Sequence, residues 1–358
     1  MIPFVYESLP SRVIFGRGTV GQVGVEIERL GAKRVIILTT AEQSAEAERI
    51  SRQVSGVHGA TFNGAVMHTP LEVTNRALQI VQQRKIDGIL AIGGGSTIGL
   101  SKAIALRTDL PQLVIPTTYA GSEMTPILGQ TENGIKTTQR TAKVLPETVI
   151  YDVDLTLSLP AKMSVVSAIN AMAHAAEALY ATNTNPVLSM MAEAGIAALY
   201  RGLPIITKSP ENIEARSHTL YGAWLCAVCL GTSNMALHHK LCHVLGGSFN
   251  LPHAETHAII LPHAIAYNSP VTRDAIAALK RALGGEGVAG RIFDLTQSAN
   301  APTALRDLGM PENGIDRAAE IALASPYANP RPIEPALLRR LIVNAWSGVR
   351  PDHSSYVD

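Results

Sequence analysis

Apolar residues in the first half of the chain come in short unbroken runs: residues 34–40 (RVIILTT), 88–92 (GILAI), Gln112–Pro116 (QLVIP) and Thr148–Asp152 (TVIYD). Between them lie stretches with apolar residues at helical spacing, such as residues 72–84 with Val73, Leu78 and Val81. A β-branched strand with no polar alternation has no solvent-facing side. Such strands separated by helices therefore predict a parallel sheet covered on both faces. Asn133-Gly134 predicts a tight hairpin, because that pair accepts positive φ at both turn positions. From Leu159-Pro160 onward the pattern changes. Ala/Leu-rich segments over residues 163–181, 186–203, 213–230, 234–245 and 303–308 suit helices. The expected organisation is an α/β unit over residues 1–157 and a helical unit over 158–358, with 349–358 as a surface tail.

Composition narrows the function classes. With 358 residues, 46% of them hydrophobic, the chain can fill two cores. Only 16% are charged, with no long charge runs, which argues against disorder. A net charge of +1 and a pI near 7.8 give no basis for binding nucleic acid or an anionic membrane surface. The N-terminus has no basic start followed by an apolar stretch, and no run of about 18 apolar residues occurs, so neither a secretory signal nor a spanning helix is expected. Cys226, Cys229 and Cys242 are an odd number, as expected of reduced thiols in a cytoplasmic protein. Cys226-x-x-Cys229, within YGAWLCAVCLG, reads as part of a buried helix rather than a metal or redox site.

Two glycine clusters compete as a phosphate cradle. Gly16-Arg17-Gly18-Thr19-Val20-Gly21 matches GxGxxG, but no acidic residue closes the following strand, which ends at Thr39-Thr40. Gly93-Gly94-Gly95-Ser96 follows the strand GILAI directly and opens a helix. Backbone N–H groups at a helix start attract anions, and glycines let the chain approach phosphate closely, so this second cluster is the stronger candidate. Ser96 can cap the helix or donate to phosphate.

In the second half, eight of the eleven histidines fall between residues 174 and 263. Asn170 and His174 share one helical face, four residues apart. His239 and His243 repeat that spacing on another helix, expected to end at Gly246-Gly247, and His253 is expected in a loop after Pro252. His238 and Lys240 are expected to point away from the His239/His243 face. His257 joins the site only weakly.

These motifs resemble the iron-containing alcohol dehydrogenase superfamily. GGGSTIGLSK (Gly93 to Lys102) is similar to its GGGSxxDxAK element, with Gly99 where the family usually has aspartate. Pro116-Thr117-Thr118-Tyr119-Ala120-Gly121-Ser122-Glu123 resembles its PTT…GSE stretch, which contacts the nicotinamide side of the cofactor, and Lys143 matches a cofactor-contacting lysine. The resemblance implies an N-terminal Rossmann-like dinucleotide-binding domain and an all-α C-terminal domain, as in dehydroquinate synthase-like folds, with the site in the cleft. It implies NADH or NADPH as cofactor, held by Gly94, Gly95, Ser96, Thr117, Thr118, Tyr119, Ser122, Lys143 and Thr39. Many family members place an aspartate near Thr39 and Thr40. Its absence fits use of both cofactors, although Glu42 lies close by in sequence.

The family's metal ligands, one aspartate and three histidines, match Asn170, His174, His239 and His253. An amide coordinates a divalent cation far less well than a carboxylate, so no metal is expected, although three histidines can still bind zinc. GGGSTIGL, PTTYAGSEMTP, INAMAHAAEALY and HHKLCHVLGGSFNLPHAETH resemble the maleylacetate reductase branch. That branch reduces the C=C bond of 2-maleylacetate to 3-oxoadipate during breakdown of aromatic compounds, and its substrate is a small dicarboxylate. Asn170 would remove the repulsion an aspartate exerts, and the histidines would act as neutral or cationic donors. His243 is the expected proton donor, since imidazole titrates near neutrality and this residue lies outside the ligand set. His174, His239 and His253 would orient the substrate, and a homodimer is implied by resemblance. The rival readings are a metal-dependent alcohol dehydrogenase acting on a small alcohol or aldehyde, a dehydroquinate-synthase-like lyase, and a non-catalytic nucleotide-binding protein.

Overall fold

Six strands form one wholly parallel sheet in the α/β unit, Ser8–Leu159. The structure, a computed structural model, describes every residue except Met1, Ile2, Pro10, Asn133, Gly134, Pro326, His353 and Asp358. In chain order the unit contains β1 (Arg12–Gly16), α1 (Val23–Arg29), β2 (Val35–Leu38), α2 (Ser44–Gln53), β3 (His58–Phe62), α3 (Leu71–Gln83), β4 (Gly88–Gly93), α4 (Gly95–Thr108), β5 (Gln112–Pro116), β6 (Ile127–Glu132), β7 (Ile135–Arg140) and β8 (Thr148–Asp152). The sheet order is β1-β8-β5-β4-β2-β3. The strands β2, β4, β5 and β8 are buried at every position, which is why they read as continuous apolar runs. The edge strands β1 and β3 are only partly buried, and their mixed sequences hid them from the sequence reading.

Alternate strand residues feed two cores. Ile37, Leu90 and Ile115 pack toward Val23, Ile27 and Ile50 on one face; Ile36, Ile89 and Val114 pack toward Val73, Ala77 and Ile104 on the other. β6 and β7 pair antiparallel beside this sheet, with Glu132 opposite Ile135; the Asn133-Gly134 turn expected between them lies outside the described residues. From β2 the chain passes to β3 on one side and then to β4 on the other. The carboxyl ends of β2 and β4 therefore flank a topological switch point, where open α/β sheets bind ligands.

The helical unit comprises Met1–Glu7 and Pro160–Asp358, so the described residues 3–7 group with it rather than with the α/β unit. Its helices are α5 (Ala161–Ala178), α6 (Pro186–Ile206), α7 (Ile213–Thr232), α8 (Leu237–Phe249), α9 (His253–Asn268), α10 (Arg273–Leu283), α11 (Val288–Ser298), α12 (Gly314–Ala324) and α13 (Pro335–Ser347). Side chains cap two of the starts: Asn185 accepts from Val187 N and Leu188 N, with Pro186 at the first helical position, and Asn212 accepts from Ala215 N. The helix α5 is buried from Ser164 to Ala178 and so lacks a polar stripe, as befits a central helix.

Three expectations need correction. The helix α8 runs through Gly246-Gly247 and stops at Asn250, whose φ of 53° is left-handed. His253 opens α9 instead of sitting in a loop; Pro252 occupies the position before the helix, where its missing N–H costs nothing. The 303–308 segment forms only a short 3-10 turn, Leu305–Leu308. The 349–358 segment is exposed over most of its described residues but is anchored at Tyr356, which is fully buried, with its hydroxyl 2.8 Å from His263 Nδ1 and its carbonyl accepting from Arg331 Nη1 at 2.9 Å. A tyrosine whose polar tip finds a partner gains from burying its ring. Among the described residues no single helix is long and apolar enough to cross a membrane.

Candidate active site

The glycine cradle sits at the switch point. Gly93 ends β4 with φ of +152°, and a Cβ there would meet Thr97 Oγ1 at 2.5 Å and Gln43 Oε1 at 2.8 Å, so only glycine fits. Gly94 is the N-cap of α4. It contributes no side-chain cap, and the first turn of this 14-residue helix carries no acidic residue. Thr97 N and Ile98 N both donate to Gly94 O, which leaves the amides of Gly95 and Ser96 for an external acceptor. Exposed Gly95 and half-buried Ser96 therefore form the positive end of the helix dipole, a seat for pyrophosphate.

The competing cluster at Gly16–Gly21 is partly satisfied. Gly18 N and Val20 N donate to the two carboxylate oxygens of Asp152, at 3.0 and 2.8 Å. That loop, after the edge strand β1, thus commits two of its amides to a carboxylate of its own chain.

The structure sorts the other expected cofactor residues. Thr118 and Ser122 are half-buried at the carboxyl side of β5, on the cradle's side of the sheet. A threonine Cγ2 of Thr118 lies 2.9 Å from where a Gly94 Cβ would be, so these two residues are neighbours. Thr117 is nearly buried, and its Oγ1 accepts from Gln43 Nε2 at 2.7 Å. Thr39 and Tyr119 are both fully buried. Thr39 Oγ1 is buried without a hydrogen-bond partner among the described residues. The Lys143 Nζ lies 3.8 Å from Asp109, the residue that follows α4. The motif lysine Lys102 is structural: its buried Nζ donates to Ser122 O, Thr125 O, Thr125 Oγ1 and Ile127 O, which fixes the loop after β5, and burial pulls its pKa down to about 7. At Gly99, Thr69 Oγ1 fills the space that a longer side chain would need. Exposed Glu42 follows Thr40 near the carboxyl end of β2. Bonds from its own backbone amide and from Thr40 hold its carboxyl below the usual range, leaving it ionised.

In the helical unit α5, α8 and α9 bring the histidines together. Ring centroids are 5.2 Å apart for His174–His239, 5.2 Å for His239–His257, 4.3 Å for His253–His257 and 6.5 Å for His239–His243. His174, His239 and His257 are buried, whereas His243 and His253 are exposed. Asn170, one turn before His174, is 3% exposed, and its Oδ1 accepts no hydrogen bond among the described residues. His174 Nδ1, His239 Nε2 and His257 Nε2 are likewise buried without partners among them. Buried polar atoms are nearly always paired, so a group of orphans marks a place where a ligand belongs.

Three further residues bear on the site: His238, expected to point away; His257, expected to join only weakly; and Glu177, which the sequence did not single out. His238 is fully buried and stands 2.9 Å, Nε2 to Nδ1, from His257, its ring 5.1 Å from that of His239; it does not point away from the site. His257 shares a face of α9 with His253 at i+4, a signal lost once His253 was placed in a loop. Glu177 follows Asn170 and His174 at i+7 on α5, and its Oε2 accepts from His239 Nδ1 at 2.7 Å. Burial, reinforced by neighbouring imidazoles, holds His174, His238 and His257 well below the usual range, so these three are neutral near pH 7. Of the two expected forms, neutral or cationic, His174 takes the neutral one.

The donor set fits a divalent ion, though weakly. His239 offers a bare Nε2 lone pair while its Nδ1 is held by a carboxylate, the arrangement typical of metal-bound imidazoles. His174 and His253 would complete three nitrogens, with the neutral Asn170 amide in place of an anionic ligand. His238, Cys242 and His257 also place ligand atoms within 4.8 Å of one another. However, the two imidazoles there are already bonded to each other, and burial pushes the Cys242 thiol well above its usual range.

A parallel sheet whose switch point is shaped for phosphate, in one chain with a helical unit carrying buried imidazoles, fits a nucleotide-dependent enzyme. Comparison makes this specific. Residues 10–153 match the description "Iron-containing alcohol dehydrogenase" and residues 164–346 match "Fe-containing alcohol dehydrogenase family, C-terminal"; the chain belongs to this family. It is 50% identical to maleylacetate reductase of Rhizobium sp. (strain MTP-10005), covering 98% of this chain and 100% of that one, and the crystal structure of that enzyme superposes with a TM-score of 0.94. The crystal structure of a putative alcohol dehydrogenase from Ralstonia eutropha JMP134 is 55% identical, covers 98% of this chain and 100% of that one, and has a TM-score of 0.97. Maleylacetate reductase from Agrobacterium tumefaciens gives 50%, the same coverages and 0.94.

Proposed function

We infer that the chain is a maleylacetate reductase. It transfers hydride from NADH or NADPH to the C=C bond of 2-maleylacetate and gives 3-oxoadipate and the oxidised cofactor, with one proton taken up. The observation that carries this reading is the 50% identity to maleylacetate reductases over nearly the whole of both chains. The site chemistry agrees with it. The alkene is conjugated to a ketone, so hydride adds to the carbon remote from the ketone, and negative charge develops on the ketone oxygen. Donors aimed at that oxygen lower the barrier. Exposed His243, one turn beyond His239, supplies the proton to the neighbouring carbon. His174, His239, His253 and Asn170 orient the substrate, with the Asn170 amide facing a carboxylate that an aspartate would repel. Gly94, Gly95 and Ser96 hold the cofactor pyrophosphate, with Thr118 and Ser122 beside them.

A divalent ion held by His174, His239 and His253 would polarise the ketone oxygen as a Lewis acid. Turnover does not require it in this proposal, because the neutral Asn170 weakens the ion's hold and a dicarboxylate interacts directly with amide and imidazole. A cytoplasmic location and a homodimer belong to the same proposal; light scattering reads the latter. The test is NADH and NADPH oxidation followed by absorbance with maleylacetate, with the product identified as 3-oxoadipate. Absence of cofactor oxidation with maleylacetate, alongside activity on a simple alcohol or aldehyde, would reverse the assignment.

A further inference from the structure

We propose that Glu177 is a positioning residue: it pins His239 through the Nδ1 proton and thereby turns His239 Nε2 into the site. The carboxylate is fully buried and accepts three bonds. Oε1 takes His238 N at 2.7 Å; Oε2 takes Ala236 N at 2.8 Å and His239 Nδ1 at 2.7 Å. Each carboxylate oxygen already accepts a backbone N–H, so the third contact is completed by a ring proton on Nδ1 and Nε2 is the free position. That Nε2 is buried without a partner among the described residues, with the His174 and His257 rings each 5.2 Å away by centroid. An imidazole turned over about its ring axis would lose the bond to Glu177 and withdraw nitrogen from the site.

The same carboxylate organises the helix that carries the histidine. Ala236, the N-cap of α8, makes no side-chain cap bond, and the residues after it carry no acidic side chain in the first turn. Glu177, reaching across from α5, takes the place of that cap and places negative charge at the positive end of α8. Position and orientation of His239 are thus fixed by one group: the backbone through Ala236 and His238, the ring through Nδ1. The i, i+4, i+7 spacing of Asn170, His174 and Glu177 puts this support on the same face of α5 as the groups it serves. The inference rests on the functional reading above only in taking His239 to face the substrate.

The glutamine variant has a defined expectation. Oε2 accepts two bonds and Oε1 one, so the single amide oxygen of Glu177→Gln settles against Ala236 N and His239 Nδ1. The amide nitrogen then faces His238 N, donor against donor. The ring stays pinned at a cost in stability.

The experiment is 15N NMR of histidine-labelled, chelator-treated enzyme without substrate, with His239 assigned from a His239→Asn variant, alongside thermal melts and steady-state kinetics. Wild type is expected to show the proton on Nδ1. Folded Glu177→Leu loses that tautomer and about 10–100-fold in kcat/KM, the usual effect of removing a carboxylate behind a working imidazole. Glu177→Gln keeps the tautomer and stays within about tenfold of wild type while melting lower. A bare Nδ1 in wild type overturns the proposal, as does a folded Glu177→Leu with wild-type tautomer and rate. If Glu177→Leu does not fold, Glu177→Gln decides alone: tautomer and kcat/KM must be kept together or lost together, and either changing without the other overturns it. Because the NMR signature needs no substrate, failure of the maleylacetate assignment would leave it standing and be recognised separately.

Discussion

Restoring a carboxylate at position 170 tests the physical logic of the site. Asn170 is 3% exposed on α5, beside His174, so a charge there is screened by protein more than by water. For a substrate carboxylate about 5 Å away and an effective dielectric near 20, repulsion costs about 3 kcal/mol, or about a hundredfold in kcat/KM. In a water-like dielectric of about 80 the same pair costs under ~1 kcal/mol, a factor of about four. Asn170→Asp in chelator-treated enzyme is therefore expected to lose about a hundredfold in kcat/KM for maleylacetate, with KM for NADH unchanged. Because burial raises a carboxyl's pKa, the loss should grow with pH as the introduced group ionises. Asn170→Ala, measured alongside, isolates the lost amide from the added charge. The effect should resist added salt, because buried charge pairs are poorly screened. A loss of less than about fivefold, or one abolished by salt, would show that no substrate carboxylate lies near Asn170 and would refute the reasoning.

Three other outcomes are expected. His243→Ala should lower kcat by roughly 10²–10⁴-fold, and a variant within about tenfold of wild type removes His243 as proton donor. Gly93→Ala forces a side chain onto Thr97 and Gln43 at φ of +152°; it should cost roughly 1–3 kcal/mol in urea denaturation and raise KM for NADH, whereas an unchanged KM would move the phosphate seat elsewhere. His263 is pulled down to about 3 by burial, against 6.5 for an ordinary imidazole, so the unfolded chain binds its proton first. Its contribution to stability is full above about pH 6.5 and lost as the pH falls toward 3. Urea midpoints should therefore fall on acidification, less so in a folded His263→Asn variant; identical slopes would contradict this.

Fully buried strands were legible in the sequence because burial on both faces leaves an unbroken apolar run. The edge strands β1 and β3 were not, since their exposure breaks that run and only pairing with β8 and β2 defines them. The switch-point glycines could be recognised from their place between an apolar strand and a helix. The rival loop could not be dismissed from sequence, because its occupant, Asp152, is supplied by a strand more than a hundred residues away. In the helical unit the spacing of Asn170 with His174 and of His239 with His243 showed the two faces. His238 was misplaced because periodicity says which residues share a face, not how many faces of a central helix are buried. Glu177 was readable in principle at i+7, but its partner lies on another helix. Tyr356 gave no local signal; only His263 and Arg331 explain its burial.

The most direct test of the account compares kcat/KM for maleylacetate in enzyme depleted of metal, with depletion verified by elemental analysis, against the same preparation reloaded with zinc or iron. Equal turnover is expected in the two samples. Activity that vanishes on depletion and returns in proportion to bound metal would contradict it.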